Sequence, residues 1–218
     1  MDSLPNPIGL LIGLTILSLA PFVAVMVSSF LKIVVVIYIL RNALGLQQVP
    51  PNLAINGLAI ILSIYIMAPV FIEGYRTFVQ YDVEVTDFKN PKLMEAAAES
   101  LTPLQRFLKK HSSETEREFF LTTTSKLWPE DMAASLGPDN LMVLLPSFTV
   151  SQLKSAFEVG FLLFLPFVVI DLIVSNILLS MGMIMLSPIM ISMPFKILLF
   201  VMVDGWTRLI HGLVLSYQ

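Results

Sequence analysis

Residues 159–186 have the sequence VGFLLFLPFVVIDLIVSNILLSMGMIML, in which Asp171 is the only charged side chain. Residues 189–203 continue with IMISMPFKILLFVMV and again hold one charge, Lys196. An apolar helix of about 20 residues is long enough to cross the hydrocarbon core of a membrane. The two stretches therefore predict a hairpin of membrane-type helices.

The N-terminal part of the chain repeats this pattern. Residues 8–40 are apolar except for Lys32, and residues 53–72 hold no charge at all. At a rise of 1.5 Å per residue, the second of these runs is about 30 Å long, one hydrocarbon thickness. The predicted fold is all-α, with four long apolar helices in two hairpins, kinked at recurring prolines: Pro21, Pro69, Pro166, Pro188 and Pro194.

The charged residues divide the chain into three parts. Of its 29 Lys, Arg, Asp and Glu residues, 22 lie within 73–158. We therefore expect an N-terminal apolar hairpin over 1–72, a polar helical insert over 73–158, and a C-terminal apolar hairpin with a Met-rich tip over 159–218. Charged residues make up only 13% of the chain, about half the usual share of a soluble domain, which argues against a soluble enzyme.

Start signals predict short helices within the insert and a long helix after it. Asn90-Pro91 predicts a helix through about Ser100, and the T-x-x-Q pattern of 102–105 predicts a capping box with Pro at the first helical position. The S-x-x-E pattern of 113–116 opens another helix. A second T-x-x-Q pattern, over 149–152, predicts a long helix that reaches Ser180.

The distribution of charge also predicts orientation. The connection over 41–52 holds one Arg and no acid, whereas the insert has a net charge of −4, from 9 basic and 13 acidic residues. The positive-inside rule then favours the short connection inside and the insert outside, on the periplasmic side. Residues 1–9 contain an acid and no Lys or Arg, so we expect the first apolar run to be retained rather than removed as a signal peptide.

The residue inventory argues against catalysis and cofactors. The chain has no cysteine, its two histidines His111 and His211 are far apart in sequence, and its net charge is −3. These features disfavour thiolate or His-based metal sites and nucleic-acid binding. The sequence has no phosphate-binding or metalloprotease motif. We predict that the protein is not an enzyme, has no catalytic residues, and needs no cofactor or metal.

Four ionisable residues lie inside the apolar runs: Lys32, Asp171, Lys196 and Asp204. The two carboxylates could form a protease dyad, but each has a possible basic partner in Lys32 or Lys196. Pairing that fixes the register of the helices is one interpretation, and a proton or ion relay is another. Lys32 could also extend its ammonium to a membrane interface.

Methionine is concentrated at the tip of the second hairpin. Five of the chain's 12 methionines fall in 13 residues, and they are Met181, Met183, Met185, Met190 and Met193. Gly182 and Ser187-Pro188 interrupt a helix here, so 181–188 is predicted to be an irregular tip. Flexible thioether chains could seal a pore and yield to cargo; ordinary apolar packing is the alternative.

Three ordered stretches resemble the signature motifs of the FliP/SctR family. They are SFLKIVVV, LRNALG and QQVPPN within 29–52, LPSFTVSQLKSAFEVGF over 145–161, and PFKILLFVMVDGW over 194–206. The resemblance covers both apolar blocks. A first apolar run that is not removed as a signal peptide resembles the virulence-type SctR branch of the family. The resemblance implies a core subunit of the type III secretion export gate in the bacterial inner membrane. The subunit would help to form the pore through which unfolded substrates pass.

The resemblance also implies partners and site residues. About five copies would assemble with small two-helix subunits, a related larger subunit and a switch protein, raised above the membrane plane. The family's pore constriction falls on Met181, Met183 and Met185. Charges that pair between neighbouring copies fall on Lys196 and Arg117, with Asp171 and Asp204 as further candidates for structural ion pairs.

Gln152 stands where relatives often have Glu.

Two other functions remain open at this point. A secondary transporter would need a midplane site within one chain, usually built from internal repeats, and none is visible. A membrane scaffold would need no pore.

Overall fold

The fold is described by a computed structural model for residues 7–81, 91–134 and 136–218, and these residues form helices and no strands. The all-α prediction is therefore confirmed for this part of the chain. The helices are α1 Pro7–Met26, α2 Phe30–Ala43, α3 Asn52–Gln80, α4 Pro91–Ser100, α5 Thr102–His111, α6 Glu114–Leu127, α7 Glu130–Ala134, α8 Leu141–Ser180, α9 Pro188–Met202 and α10 Gly205–Leu215.

The apolar helices are less regular than four simple spans. Among the described residues, α3 and α8 are each long and apolar enough to cross a membrane, and α9 with α10 would make a third span if the bent pair counts as one. The predicted tip of the second hairpin is confirmed, since α8 ends at Ser180 and α9 begins at Pro188. The full set of four apolar helices is reproduced only in part.

The first apolar run is divided into α1 and α2 at residues 27–29. The Ser28 hydroxyl accepts a bond from the backbone N–H of Phe30, and Ser29 Oγ donates to Ser63 Oγ on α3 at 3.2 Å. Serine side chains that bond locally compete with the helical hydrogen-bond pattern. These two serines thus accompany a break inside a run whose hydropathy suggested one continuous helix.

The fourth run is divided as well. Asp204 has a φ of +52°, and α9 and α10 meet there at an angle of 61°. A Cβ at Gly205 would lie only 2.2 Å from the ring of Phe200, so the bend also needs glycine beside it. The expected continuous helix over 189–215 is therefore wrong at this point.

Helix α8 begins earlier than its sequence pattern indicated. The Asn140 side chain accepts a bond from the N–H of Met142 at 2.9 Å and caps the helix. Thr149 is already inside the helix, where its hydroxyl donates to the carbonyl of Leu145. The helix has 40 residues, which makes it about 60 Å long and twice the thickness of a hydrocarbon core.

The short helices of the insert follow most of the predicted bounds. Helix α4 ends at Ser100 as expected, while Asn90 lies outside the described residues. The capping box over 102–105 is wrong, because Thr102 is the first helical residue and Leu101 takes the N-cap position. Helix α6 begins after Ser113 as predicted, although that side chain makes no capping bond.

Helix α2 lies at the centre of the fold and packs against α8 and α3. Ile33, Val36 and Leu40, spaced three and four residues apart, are fully buried in the main apolar core. A second core joins the insert to the apolar helices, with Phe107 of α5, Phe148 of α8 and Tyr217 in contact. These two cores fix α2, α8 and the insert against one another.

The boundaries inferred from charge fall inside helices. Helix α3 passes residue 72 and α8 passes residue 158 without a break, and α5 and α6 pack on α8. The three-part division into 1–72, 73–158 and 159–218 stays a prediction about where each part lies relative to the membrane.

Candidate functional site

The loop between α8 and α9, residues 181–187, is shaped by its glycine. Gly182 has a φ of +74°, a left-handed conformation that favours glycine. Its N–H donates to the carbonyl of Leu179 at 3.0 Å, and the N–H of Met183 donates to that of Leu178 at 2.9 Å. This pair of bonds is a Schellman motif. It ends α8 sharply and turns the following residues out of the helix.

The side chains of this loop project away from the rest of the chain. Met185 is 100% exposed, Ile184 79%, Met181 62% and Met183 40%. Monomeric soluble proteins rarely expose such a continuous apolar patch, and patches of this kind usually mark contact with a protein or a membrane. The structure therefore presents the predicted constriction residues together on one exposed loop.

A buried ion pair ties the same hairpin to α2. Lys196 Nζ of α9 lies 2.6 Å from Asp171 Oδ2 of α8 and also donates to the carbonyl of Ala43, at 3.0 Å. The Lys196 side chain is 3% exposed and that of Asp171 is 31% exposed. Ser192 donates a further bond to Asp171 Oδ1. Three helices thus meet at one pair of charges.

The other predicted charges are not brought into ion pairs among the described residues. Asp204 is exposed at the bend between α9 and α10 and makes no capping bond. Nε of Arg117 on α6 is buried and has no hydrogen-bond partner in the part of the chain that is described. Lys32, the alternative partner for the two aspartates, donates instead to Ser216 Oγ at 2.9 Å.

Gln152 connects the C-terminus to the insert. It is 4% exposed, accepts a bond from the Tyr217 hydroxyl at 2.6 Å, and donates to the carbonyl of His111 at 2.8 Å. A neutral amide satisfies both partners here. Burial, and then the nearby charges of Lys110 and Lys32, lowers the pKa of His111 to about 4, so this imidazole is neutral at physiological pH.

The described residues offer no group of three His, Asp or Glu side chains that could hold a metal ion. Sequence reasoning did not identify Ser192, Ser216 or Tyr217, whose contacts complete the buried polar groups. Serine and tyrosine carry no periodic or motif signal for such roles. Only the three-dimensional contacts reveal them.

The family model described as FliP matches residues 13–213. The chain belongs to the FliP family. Yop proteins translocation protein R of Yersinia pestis is 53% identical over 218 residues, covering 100% of this chain and 99% of that protein. Virulence protein YscR of Salmonella typhimurium is 46% identical over 217 residues, covering 99% and 100%.

A third relative is the hypersensitivity response secretion protein HrcR of Ralstonia nicotianae, 46% identical over 207 residues, which cover 93% of each chain. The names of these relatives describe a translocation protein, a virulence protein and a hypersensitivity response secretion protein. The resemblance to the FliP/SctR family, and within it to the virulence-type branch, is thereby confirmed.

Proposed function

We propose that the chain is a pore-forming core subunit of a type III secretion export gate, through which unfolded proteins cross the bacterial inner membrane. Membership of the FliP family and full-length similarity to virulence secretion proteins support its place in the apparatus. The exposed Met loop over 181–187 is the observation that carries the role in the pore. The protein has no catalytic step in this proposal.

The Met loop suits a constriction for physical reasons. Copies of Met183 and Met185 related by rotation around an axis would converge and close a hole to water and ions, because an apolar constriction gates by dewetting. Thioether chains are flexible and can repack around a passing polypeptide. The Schellman turn at Gly182 holds the loop in place while its side chains move.

Exposed apolar surface and unpaired charge support assembly with other chains. Large apolar side chains are exposed along α3, α8 and α9, including Leu53, Tyr65, Leu162 and Met202. Arg117 is half-buried and forms no ion pair among the described residues, which favours pairing with a neighbouring copy, whereas Lys196 already has its partner within the chain. The proposed partners are about four further copies, the small two-helix subunit, the related larger subunit, the switch protein and the exported polypeptides.

The inner membrane is the proposed location, with the insert toward the periplasm. The helices that are able to span a membrane support the first part. The basic residue Arg41 in the short connection and the acidic insert support the orientation. The length of α8 fits an assembly that extends beyond the hydrocarbon core.

The test of the pore role is ion leak through the assembled gate. In Met183→Ala/Met185→Ala, the loop backbone should persist, because Gly182 and Pro188 define it. Removing the thioethers should widen the constriction and raise inner-membrane conductance, with export partly retained. Met190→Ala, an exposed methionine on α9 outside the loop, is the matched control. If the gate is intact and its conductance equals that of the unchanged protein, the two methionines do not form the constriction and only pack against their neighbours.

A further inference from the structure

The arm formed by α9 and α10 is attached to the rest of the fold at both of its ends. On α9, Lys196 is tied to Asp171 of α8 and to the carbonyl of Ala43. At the far end, directly after α10, the Tyr217 hydroxyl donates to Gln152 of α8 at 2.6 Å. The 61° bend lies between these attachments, so the arm can straighten only if one of them breaks.

The attachment at Tyr217 reaches α5 of the insert as well as α8. Tyr217 is 9% exposed, and its ring stacks on that of Phe107 with centroids 6.0 Å apart. The ring of His111 meets it edge-on at 5.1 Å. Gln152, which accepts the Tyr217 bond, donates in turn to the carbonyl of His111 at 2.8 Å. The end of the arm is therefore tied to α5 by ring contacts and by a relay of two hydrogen bonds.

Lys32 of α2 adds a further contact at the same end of the arm. Its ammonium donates to Ser216 Oγ at 2.9 Å and lies 5.1 Å from the centroid of the Tyr217 ring. A cation over an aromatic face is attracted by the ring, and the carboxylate of Glu158 acts on the same ammonium. The two residues that follow α10 are thus held by α2, α5 and α8 together.

The bend between the two attachments has an unfavourable backbone conformation. Asp204 is the only non-glycine residue with a positive φ in the part of the chain that the structure describes. A left-handed conformation is unfavourable for a residue with a Cβ, and the Asp204 side chain makes no capping bond that would offset the cost. Such a conformation persists only where the surrounding contacts determine it.

We propose that Tyr217 is a positioning residue that maintains the bend at Asp204, and that it couples the α9–α10 arm to α5 of the insert. The arm begins directly after the Met loop over 181–187, so this coupling would connect the two ends of the chain's apolar part in the proposed gate. The coupling is a property of the single chain and goes beyond the proposed pore.

The competing explanation is a bend that is fixed locally. Gly205 lies so close to the Phe200 ring that a Cβ would not fit, and in this explanation that contact alone determines the backbone at residue 204. A substitution of Asp204 would then leave α5 unchanged. The two explanations therefore differ in whether residue 204 and α5 affect each other.

The experiment is amide hydrogen exchange in the co-expressed and purified assembly, measured over α5, residues 102–111. Asp204→Ala raises the cost of the left-handed conformation, because aspartate tolerates it better than alanine does. The bent arm should then open more often, and exchange over α5 should rise about threefold. Asp204→Asn is the matched control, since asparagine tolerates the conformation equally well, and its exchange should stay within about 1.5-fold of the unchanged protein.

A double-mutant cycle tests whether the coupling passes through Tyr217. Tyr217→Ala should raise exchange over α5 about tenfold, because the buried Gln152 acceptor loses its donor, and Asp204→Ala should add nothing in that background. Tyr217→Phe keeps the ring and loses only the hydroxyl. It takes the place of Tyr217→Ala if that variant does not assemble, and Asp204→Ala should then have a smaller effect than in the unchanged protein.

Three results would overturn the proposal: α5 exchange that Asp204→Ala leaves unchanged, an equal effect of Asp204→Ala with and without Tyr217, or an equal rise over α6, residues 114–127. The last result would indicate general loosening of the insert rather than coupling through α5. Hydrogen exchange needs no transport, so the leak assay on the Met loop tests the proposed function separately.

Discussion

The buried pair of Lys196 and Asp171 predicts unequal effects of removing its two members. Asp171→Ala leaves an ammonium whose side chain is 3% exposed, with only the Ala43 carbonyl as acceptor. Lys196→Ala leaves a carboxylate that is 31% exposed and still accepts from Ser192. Breaking a fully buried pair costs about 3–5 kcal/mol, and we expect that range for Asp171→Ala. The partly solvated carboxylate should cost only about 1–2 kcal/mol.

The assay is thermal unfolding of the purified co-expressed assembly. For a chain of this size, 1 kcal/mol corresponds to about 2–4 °C of melting temperature, so Asp171→Ala should lower it by about 10 °C and Lys196→Ala by about 4 °C. The double variant Asp171→Leu/Lys196→Met, with apolar groups of similar size, should lie within about 1.5 kcal/mol of the unchanged protein. A larger loss for Lys196→Ala than for Asp171→Ala, or additive losses in the double variant, would refute this reasoning.

Three further outcomes follow from local geometry. Folding lowers the pKa of His111 from 6.5 to about 4, so as the pH falls the unfolded chain binds a proton at this residue before the folded chain does. The free energy of unfolding is therefore highest above pH 6.5 and decreases toward pH 4. Because the group is half-exposed and screened by solvent, we expect a decrease of about 1 kcal/mol. His111→Gln should flatten melting temperature against pH in that window, and an unchanged slope would count against the linkage. Gly182→Ala places a Cβ on a residue with a left-handed backbone conformation and should lower the free energy of unfolding by about 1–2 kcal/mol in the same thermal assay. An unchanged melting temperature would contradict the need for glycine at this turn. Gly74→Ala should destabilise because its Cβ would lie 2.7 Å from the Ser100 carbonyl oxygen, whereas Gly57→Ala meets nothing within 4 Å and should gain up to about 1 kcal/mol; equal melting temperatures would contradict that contrast.

Hydropathy predicted the helical class and the tip at 181–188, because long apolar runs and the Gly182 and Pro188 signals are local. It missed the divisions at Ser28-Ser29 and at Asp204. The first depends on a hydroxyl contact with Ser63 on another helix. The second depends on a left-handed backbone conformation that no run of apolar residues reveals.

The start of α8 shows how two local signals compete. The T-x-x-Q pattern at Thr149 was a plausible start, but Asn140 caps the helix nine residues earlier. Burial of Val143, Leu144 and Phe148 then extends the helix through the polar pattern. Tertiary burial outweighs a capping motif in such a case.

The buried charges were recognisable in sequence as residues that need partners, but the choice of partner was not. Lys196 could have met Asp171 or Asp204, and the structure places it against Asp171 because α8 and α9 form adjacent arms of one hairpin. Lys32 meets Ser216, 184 positions away. Sequence separation of that size carries no local signal.

Imaging of the purified, co-expressed assembly tests the central claim most directly. We predict a closed ring of about five copies around an axial hole, with the loops over 181–187 facing the axis at its narrowest point. A monomer or dimer, or a ring whose Met183 and Met185 lie on its outer surface, would contradict the proposed pore.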